Sequence, residues 1–130
     1  MAIKLLGLNH YSIAVIDLEK SLSFYQGVLG MDLMPRPDFD FDGAWLDCGQ
    51  GISLHLIVQD DIIINQSGSR QLHFAFAVSD ILLAKDGLIT QGIHIVKDIK
   101  LRPDGILQMF IQDPDGYYIE ITELELSTDT

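Results

Sequence analysis

Three of the four histidines, His10, His55 and His73, and one glutamate, Glu120, stand in short stretches where apolar and small or polar residues alternate. Imidazole and carboxylate together bind Zn, Fe, Ni, Mn or Co, and a mixed N/O donor set discriminates only weakly among those metals. Two imidazoles and one carboxylate also leave coordination positions open for a substrate or for oxygen. A single histidine in a strand is ordinarily a structural or surface residue. These four are different because they fall at matching places in an internal repeat.

The repeat emerges when the chain is laid over itself. The segment Asn9-His10-Tyr11-Ser12-Ile13-Ala14-Val15-Ile16-Asp17-Leu18 lies over Leu72-His73-Phe74-Ala75-Phe76-Ala77-Val78-Ser79-Asp80-Ile81. His, Ala, Val and Asp recur in register, and Tyr11 meets Phe74. At nearly the same offset Trp45-Leu46 lies over Phe110-Ile111, Gly51 over Gly116, and Leu54-His55-Leu56 over Ile119-Glu120-Ile121. Apolar periodicity alone aligns two strands, but it does not align His, Gly and Asp in the same order. The chain is read as a duplicated unit of roughly 60 residues.

Each unit must supply strands that carry these side chains. His10 to Val15 alternates as a strand. Asp17 is positioned to cap a helix over Lys20 to Leu29, which Gly30 stops. Leu18, Leu22, Tyr25 and Leu29 give that helix an apolar stripe. Strands are predicted over Met31–Met34, Gly43–Cys48 and Ile52–Val58, the last two joined through Gly49-Gln50-Gly51. In the second unit Leu72–Val78 is a strand, Asp80 caps a helix to Gln91, and Gly92 stops it. His94–Lys97, Ile106–Gln112 and Tyr117–Glu123 are strands, with Asp113-Pro114-Asp115-Gly116 a strong turn signal. The order is β-α-β-β-β, twice: an α+β chain, with modules over residues 6–59 and 70–124 of a single domain, 1–130. Residues 60–71 form the joint, where Ile62, Ile63 and Ile64 close a pocket, meet a partner chain or pack on the nearest helix.

Strand alternation then assigns faces. His10, Ser12 and Ala14 point opposite to Tyr11, Ile13 and Val15; His73, Ala75 and Ala77 point opposite to Phe74, Phe76 and Val78. The bulky sets lie under the helices, and each histidine stands among small residues that leave space beside it. His55 with Ser53, and Glu120 with Tyr118, take the same side. The repeat thus places His10, His55, His73 and Glu120 on the concave side of the sheet as ligands of one divalent ion. A Glu120 buried among apolar neighbours also requires a partner, because an unpaired buried charge is costly. His94 has no such role.

Composition narrows the partners. The chain has 130 residues, 48% hydrophobic and 21% charged, with eight Lys and Arg against nineteen Asp and Glu and a formal net charge of -11. That balance argues against nucleic acid and anionic membrane surfaces. No apolar stretch approaches the ~20 residues of a membrane span, and residues 1–7 hold no signal-peptide core; a cytoplasmic protein is expected. The single cysteine, Cys48, excludes an internal disulfide and reads as a small strand residue.

With these residues in view, the chain resembles the vicinal oxygen chelate superfamily, which includes glyoxalase I, fosfomycin-resistance thiol transferases, bleomycin-resistance proteins and extradiol dioxygenases. The resemblance covers about residues 6 to 124. It is carried by Leu8-Asn9-His10-Tyr11-Ser12-Ile13-Ala14-Val15, by Ser23-Phe24-Tyr25 with Val28-Leu29-Gly30-Met31, by Gly43-Ala44-Trp45-Leu46 with Leu54-His55-Leu56, and by Asp113-Pro114-Asp115-Gly116-Tyr117-Tyr118-Ile119-Glu120. It implies paired βαβββ modules in a cup-shaped mixed sheet with helices outside, a divalent metal held at His10, His73 and Glu120 with His55 at the fourth position, a small-molecule substrate and a homodimer.

The resemblance implies a glyoxalase-like lyase or isomerase first, with Glu120 as the base. Bacterial-type glyoxalase I usually has Glu where this chain has His55, and a metal-bound imidazole is a poorer base than a carboxylate. One carboxylate against a dication leaves a local charge of about +1, which favours an anionic oxygen ligand. The other readings are a small extradiol dioxygenase with Tyr118 as acid–base group, a fosfomycin-type transferase, and a non-catalytic binding protein. Arg36, Arg70, Lys97, Lys100 and Arg102 are the cations near plausible rims, and the loops 35–42 and 97–105 line part of the pocket.

Overall fold

The computed structural model describes residues 3–62 and 72–124. The chain divides into two compact units, Met1–Ile62 and Ile63–Thr130, and each carries one four-stranded sheet. The first unit runs β1 (His10–Val15), α1 (Leu18–Leu22), a π-helical stretch (Ser23–Val28), β2 (Asp32–Met34), β3 (Gly43–Gly49) and β4 (Ile52–Val58). The second runs β5 (Phe74–Val78), α2 (Ile81–Thr90), β6 (Lys97–Leu101), β7 (Leu107–Gln112) and β8 (Tyr118–Glu123). Sheet order is β1-β4-β3-β2 in one and β5-β8-β7-β6 in the other. In both, the first and last strands pair in parallel and the rest antiparallel. This is the expected α+β arrangement of βαβββ units.

Local chemistry accounts for the shared pattern. Asp17 accepts from the Lys20 amide at 3.2 Å and Asp80 from the Leu83 amide at 3.1 Å, so both helices start on the predicted caps. Glu123 Oε2 also accepts from the Ile81 amide, tying the start of α2 to β8. Gly30 and Gly92, at φ 74 and 77, take the left-handed conformation that ends each helical segment. On the helix-facing side Val15, Leu46, Leu54 and Leu56 are fully buried with Tyr25 in the first unit, and Met109, Ile111 and Ile119 with Ile81 in the second.

Two elements differ from the sequence reading. The first helix does not stay α-helical to Leu29: from Ser23 it widens, with the Leu29 amide reaching back five residues to the Phe24 carbonyl. Gly27 lies in this stretch and weakens the α-helical ladder, and the stretch buries both Phe24 and Tyr25. In the second unit the strand expected at 94–97 lies instead at Lys97–Leu101, inside the segment read as a loop. The tight connection closed by the Arg102 amide on the Ile106 carbonyl fixes the β6–β7 register. The paired stretch therefore falls nearer that hairpin than apolar alternation implies. Of the run at 62–64, Ile62 is half-buried; Ile63, Ile64 and Arg70 lie outside the described residues.

Gly43 marks the closest approach within the first sheet. A Cβ there would collide with the Leu56 carbonyl oxygen and press on the Arg36 guanidinium. Gly43→Ala should therefore force β3 from β4 and lower stability by about 1–3 kcal/mol. Chemical denaturation checks this; an unchanged midpoint would contradict the close approach.

Candidate functional site

In the first unit, register sets the side chains in rows. His10 pairs with Ser53 across β1–β4, and His55 lies between Ser12 on β1 and Trp45 on β3. The Trp45, His55 and His10 rings stack in sequence, each step 4.1 Å between centroids and 7° between planes. His10 Nδ1 lies 2.7 Å from Asn9 Oδ1. Donation to that amide oxygen places the ring proton on Nδ1 and leaves a lone pair on Nε2. Ser53 Oγ lies 2.9 Å from His55 Nε2. Burial, then the neighbouring His10, then the Arg36 guanidinium hold the His55 pKa below the usual histidine value. A depressed pKa keeps the ring neutral near pH 7, the form that binds metal. The rings border an open cavity of about 460 Å³ that Met34 and Phe39 also line. Trp45 thus belongs to the cavity wall.

In the second unit the same rows carry charge. Glu120 pairs with Ala75 on β5 and Phe110 on β7, the repeat equivalents of Ser12 and Trp45. Its residue is only 7% exposed, and both oxygens are engaged. His73 Nε2 lies 3.2 Å from Oε1, and Arg102 Nη1 donates to Oε2 at 3.1 Å. Arg102 is itself held by Asp104, through Nε at 3.0 Å and Nη2 at 2.6 Å. Arg102 in turn holds Asp104 below the usual carboxylate range. Phe110 meets the His73 ring edge-on at 5.5 Å. An open cavity of about 320 Å³ lies over His73, Phe110, Gln108 and Glu120.

The structure thus brings the predicted residues together as one pair in each unit. Among the described residues no three or more His, Cys, Asp or Glu side chains form a single metal-holding group. The donor chemistry fits a divalent cation nonetheless. Two ligand atoms each about 2.0–2.2 Å from one ion lie about 3 Å apart when at right angles, and His73 Nε2 and Glu120 Oε1 are 3.2 Å apart. Tyr118 is half-buried opposite Gln112 on β7, and it does not line the cavity. His94 is exposed. Burial, then Asp47, pushes the Cys48 thiol up, away from reactivity.

Arg102 is the residue that sequence reasoning underused. It read as a rim residue of a loop, whereas it is the second partner of the buried carboxylate. The available signal was the need of Glu120 for a counter-charge, combined with the short Pro103-Asp104-Gly105 connection that returns β6 toward β7.

The profile of the Glyoxalase/Bleomycin resistance protein/Dioxygenase superfamily matches residues 7–121. The chain belongs to this superfamily. It is 33% identical over 130 residues to a lactoylglutathione lyase of Neisseria meningitidis serogroup B, covering 95% of this chain and 94% of that one. It is 34% identical over 127 residues to Glyoxylase I 4 of Arabidopsis thaliana, covering 90% and 70%. It is 30% identical to the metallothiol transferase FosB of Lysinibacillus sphaericus, covering 87% and 79%. The crystal structure of a glyoxalase family protein from Bacillus anthracis aligns with TM-score 0.80 at 29% identity, over 96% of this chain and 100% of that one.

Because Arg102 and Glu120 form one charge-assisted contact, their substitutions should not be additive. Arg102→Ala is expected to lower stability, and measurably less when introduced into Glu120→Gln. Equal costs in the two backgrounds, read by denaturation, would show that the pair is not linked.

Proposed function

We propose that the chain is a metal-dependent lyase of the glyoxalase I type. It would isomerise the hemithioacetal formed by a thiol and a 2-oxoaldehyde to a 2-hydroxyacyl thioester. The observation that carries this reading is the pair His73 and Glu120, with donor atoms at metal-ligand spacing on a cavity wall. The His10–His55 pair at the repeat-equivalent place supports it, as does the similarity to a lactoylglutathione lyase along nearly the whole chain.

In this reading His10, His73 and Glu120 hold one divalent ion, Zn, Ni, Fe, Mn or Co, with His55 as fourth donor. The ion, when bound, supplies Lewis-acid stabilisation to negative charge developing on two adjacent substrate oxygens. Glu120 takes the proton from the carbon bearing sulfur and returns it to the neighbouring carbonyl carbon. The hydroxyl proton moves to the second oxygen, so no external oxidant or reductant enters. Arg102 holds and orients the carboxylate through Oε2. The stacked Trp45, His55 and His10 rings and Phe39 line the cavity of the first unit. The chain acts as a homodimer in the cytoplasm; exposed Ile3, Leu5, Leu6 and Leu8 support the assembly.

A second reading is transfer of a thiol to a small electrophile. The cations Lys97 and Lys100 on β6, which border the cavity that Glu120 lines, Arg102 just after that strand, and the similarity to FosB favour it.

Chelated protein reloaded with each metal separates the outcomes. The lyase reading expects hemithioacetal isomerisation that vanishes on chelation, returns with metal, and falls at least about 100-fold in Glu120→Gln. Isomerisation by the metal-free protein at the same rate would refute it. Thiol transfer without isomerisation would select the second reading.

A further inference from the structure

The two histidines of the first unit are held by different neighbours, and the difference bears on metal binding. His10 Nδ1 lies 2.7 Å from Asn9 Oδ1. An amide oxygen only accepts, so the ring proton sits on Nδ1 and the lone pair on Nε2. Ser53 Oγ lies 2.9 Å from His55 Nε2. A hydroxyl donates or accepts. If Ser53 donates, it uses the Nε2 lone pair; if it accepts, Nε2 carries the proton. In both cases that nitrogen is closed to an ion. All four residues border the same cavity.

The ring stack adds a second obstacle for His55. A neutral imidazole binds an ion through a ring-nitrogen lone pair, which lies in the ring plane. The His10 and His55 planes differ by 7°, with centroids 4.1 Å apart. Rings in contact are separated by about 3.5 Å, so planes so nearly parallel meet only tens of ångströms away. No ion at bonding distance lies in both. His10 and His55 therefore cannot ligate one ion while stacked. The bond to Ser53 and the stack on Trp45 must open before His55 joins.

Asn9 and Ser53 are also neighbours through the backbone, where the Asn9 carbonyl accepts from the Ser53 amide at 3.2 Å. This contact is main chain, so either side chain can change without removing it. Ser53 is only 8% exposed, which limits competition from water for its bond to His55. The internal repeat sets the two residues apart. Leu72 stands at the place of Asn9, and Tyr118 at that of Ser53. Leu72 has no polar side chain, and His73 Nε2 meets Glu120 instead.

We propose that Asn9 and Ser53 are positioning residues of opposite sign for the metal: Asn9 presets His10 Nε2 as a ligand, and Ser53 holds His55 back until it turns out of the stack. His10 is then a standing donor, whereas His55 is recruited on loading. The inference rests on the metal-binding part of the reading above and not on the lyase reaction.

Long-range proton–nitrogen NMR spectra of the histidine side chains, with Zn affinity measured by competition against a chromogenic chelator, test this. In the chelated wild-type protein His10 is expected as the Nδ1–H tautomer. Asn9→Ala should lose that preference and weaken Zn binding about tenfold or more. Asn9→Asp, which keeps the acceptor, should restore both. Ser53→Ala should instead tighten Zn binding about threefold to tenfold, the worth of one hydrogen bond. Ser53→Thr, which keeps the hydroxyl, should not. Zn added to the wild type should shift the His55 signals and change the emission of Trp45, the single tryptophan, as the stack opens. An unchanged His10 tautomer and affinity in Asn9→Ala, equal or weaker binding in Ser53→Ala, or His55 signals untouched by Zn would overturn the proposal. Zn binding that follows this pattern without isomerisation retains the positioning and rejects the lyase reading. Isomerisation with a Zn affinity indifferent to both residues does the reverse.

Discussion

A buried carboxylate must find compensation, and Glu120 organises much of the second unit through that requirement. Isolated charge in a protein interior is strongly unfavourable unless it is paired and hydrogen-bonded. Here one oxygen meets His73 from the segment before β5 and the other meets Arg102 from the end of β6. The carboxylate on β8 therefore ties together residues from both flanks of its sheet. The same contacts orient it, which any role as metal ligand or base demands. Structure and chemistry make the same demand on this residue.

The two units share a plan and differ in character. In both, an aromatic residue stands directly across the strand from the candidate donor, Trp45 beside His55 and Phe110 beside Glu120. In the first unit the result is a neutral stack of rings with a depressed histidine pKa. In the second it is a charged cluster with a guanidinium and two lysines. Duplication followed by divergence explains the division: one copy offers apolar surface and neutral imidazole, the other carboxylate and cations.

Much of this was legible in the residues. The repeat, the caps Asp17 and Asp80, the turn from Asp113 and the faces of β1, β4 and β8 all follow from spacing and strand period. What escaped were effects of pairing. The position of β6 depends on the hairpin through Asp104 and Gly105, and the side reached by Lys100 and Arg102 depends on one extra residue in a ladder. Neither leaves a local signature, because register is a property of two strands at once. The π-helical widening after Leu22 likewise reflects how Phe24 and Tyr25 bury, which a stripe of period 3.6 does not express.

The central proposal is that imidazole and carboxylate ligands of this chain bind one divalent ion. X-ray absorption on the chain loaded with Ni or Zn tests it most directly. The account predicts a shell of N and O donors at about 2.0–2.2 Å with imidazole multiple scattering from at least two histidines. That scattering should diminish in His10→Ala and in His73→Ala alike. A shell of water oxygens without imidazole, a sulfur donor, or a spectrum unchanged by either substitution would contradict it.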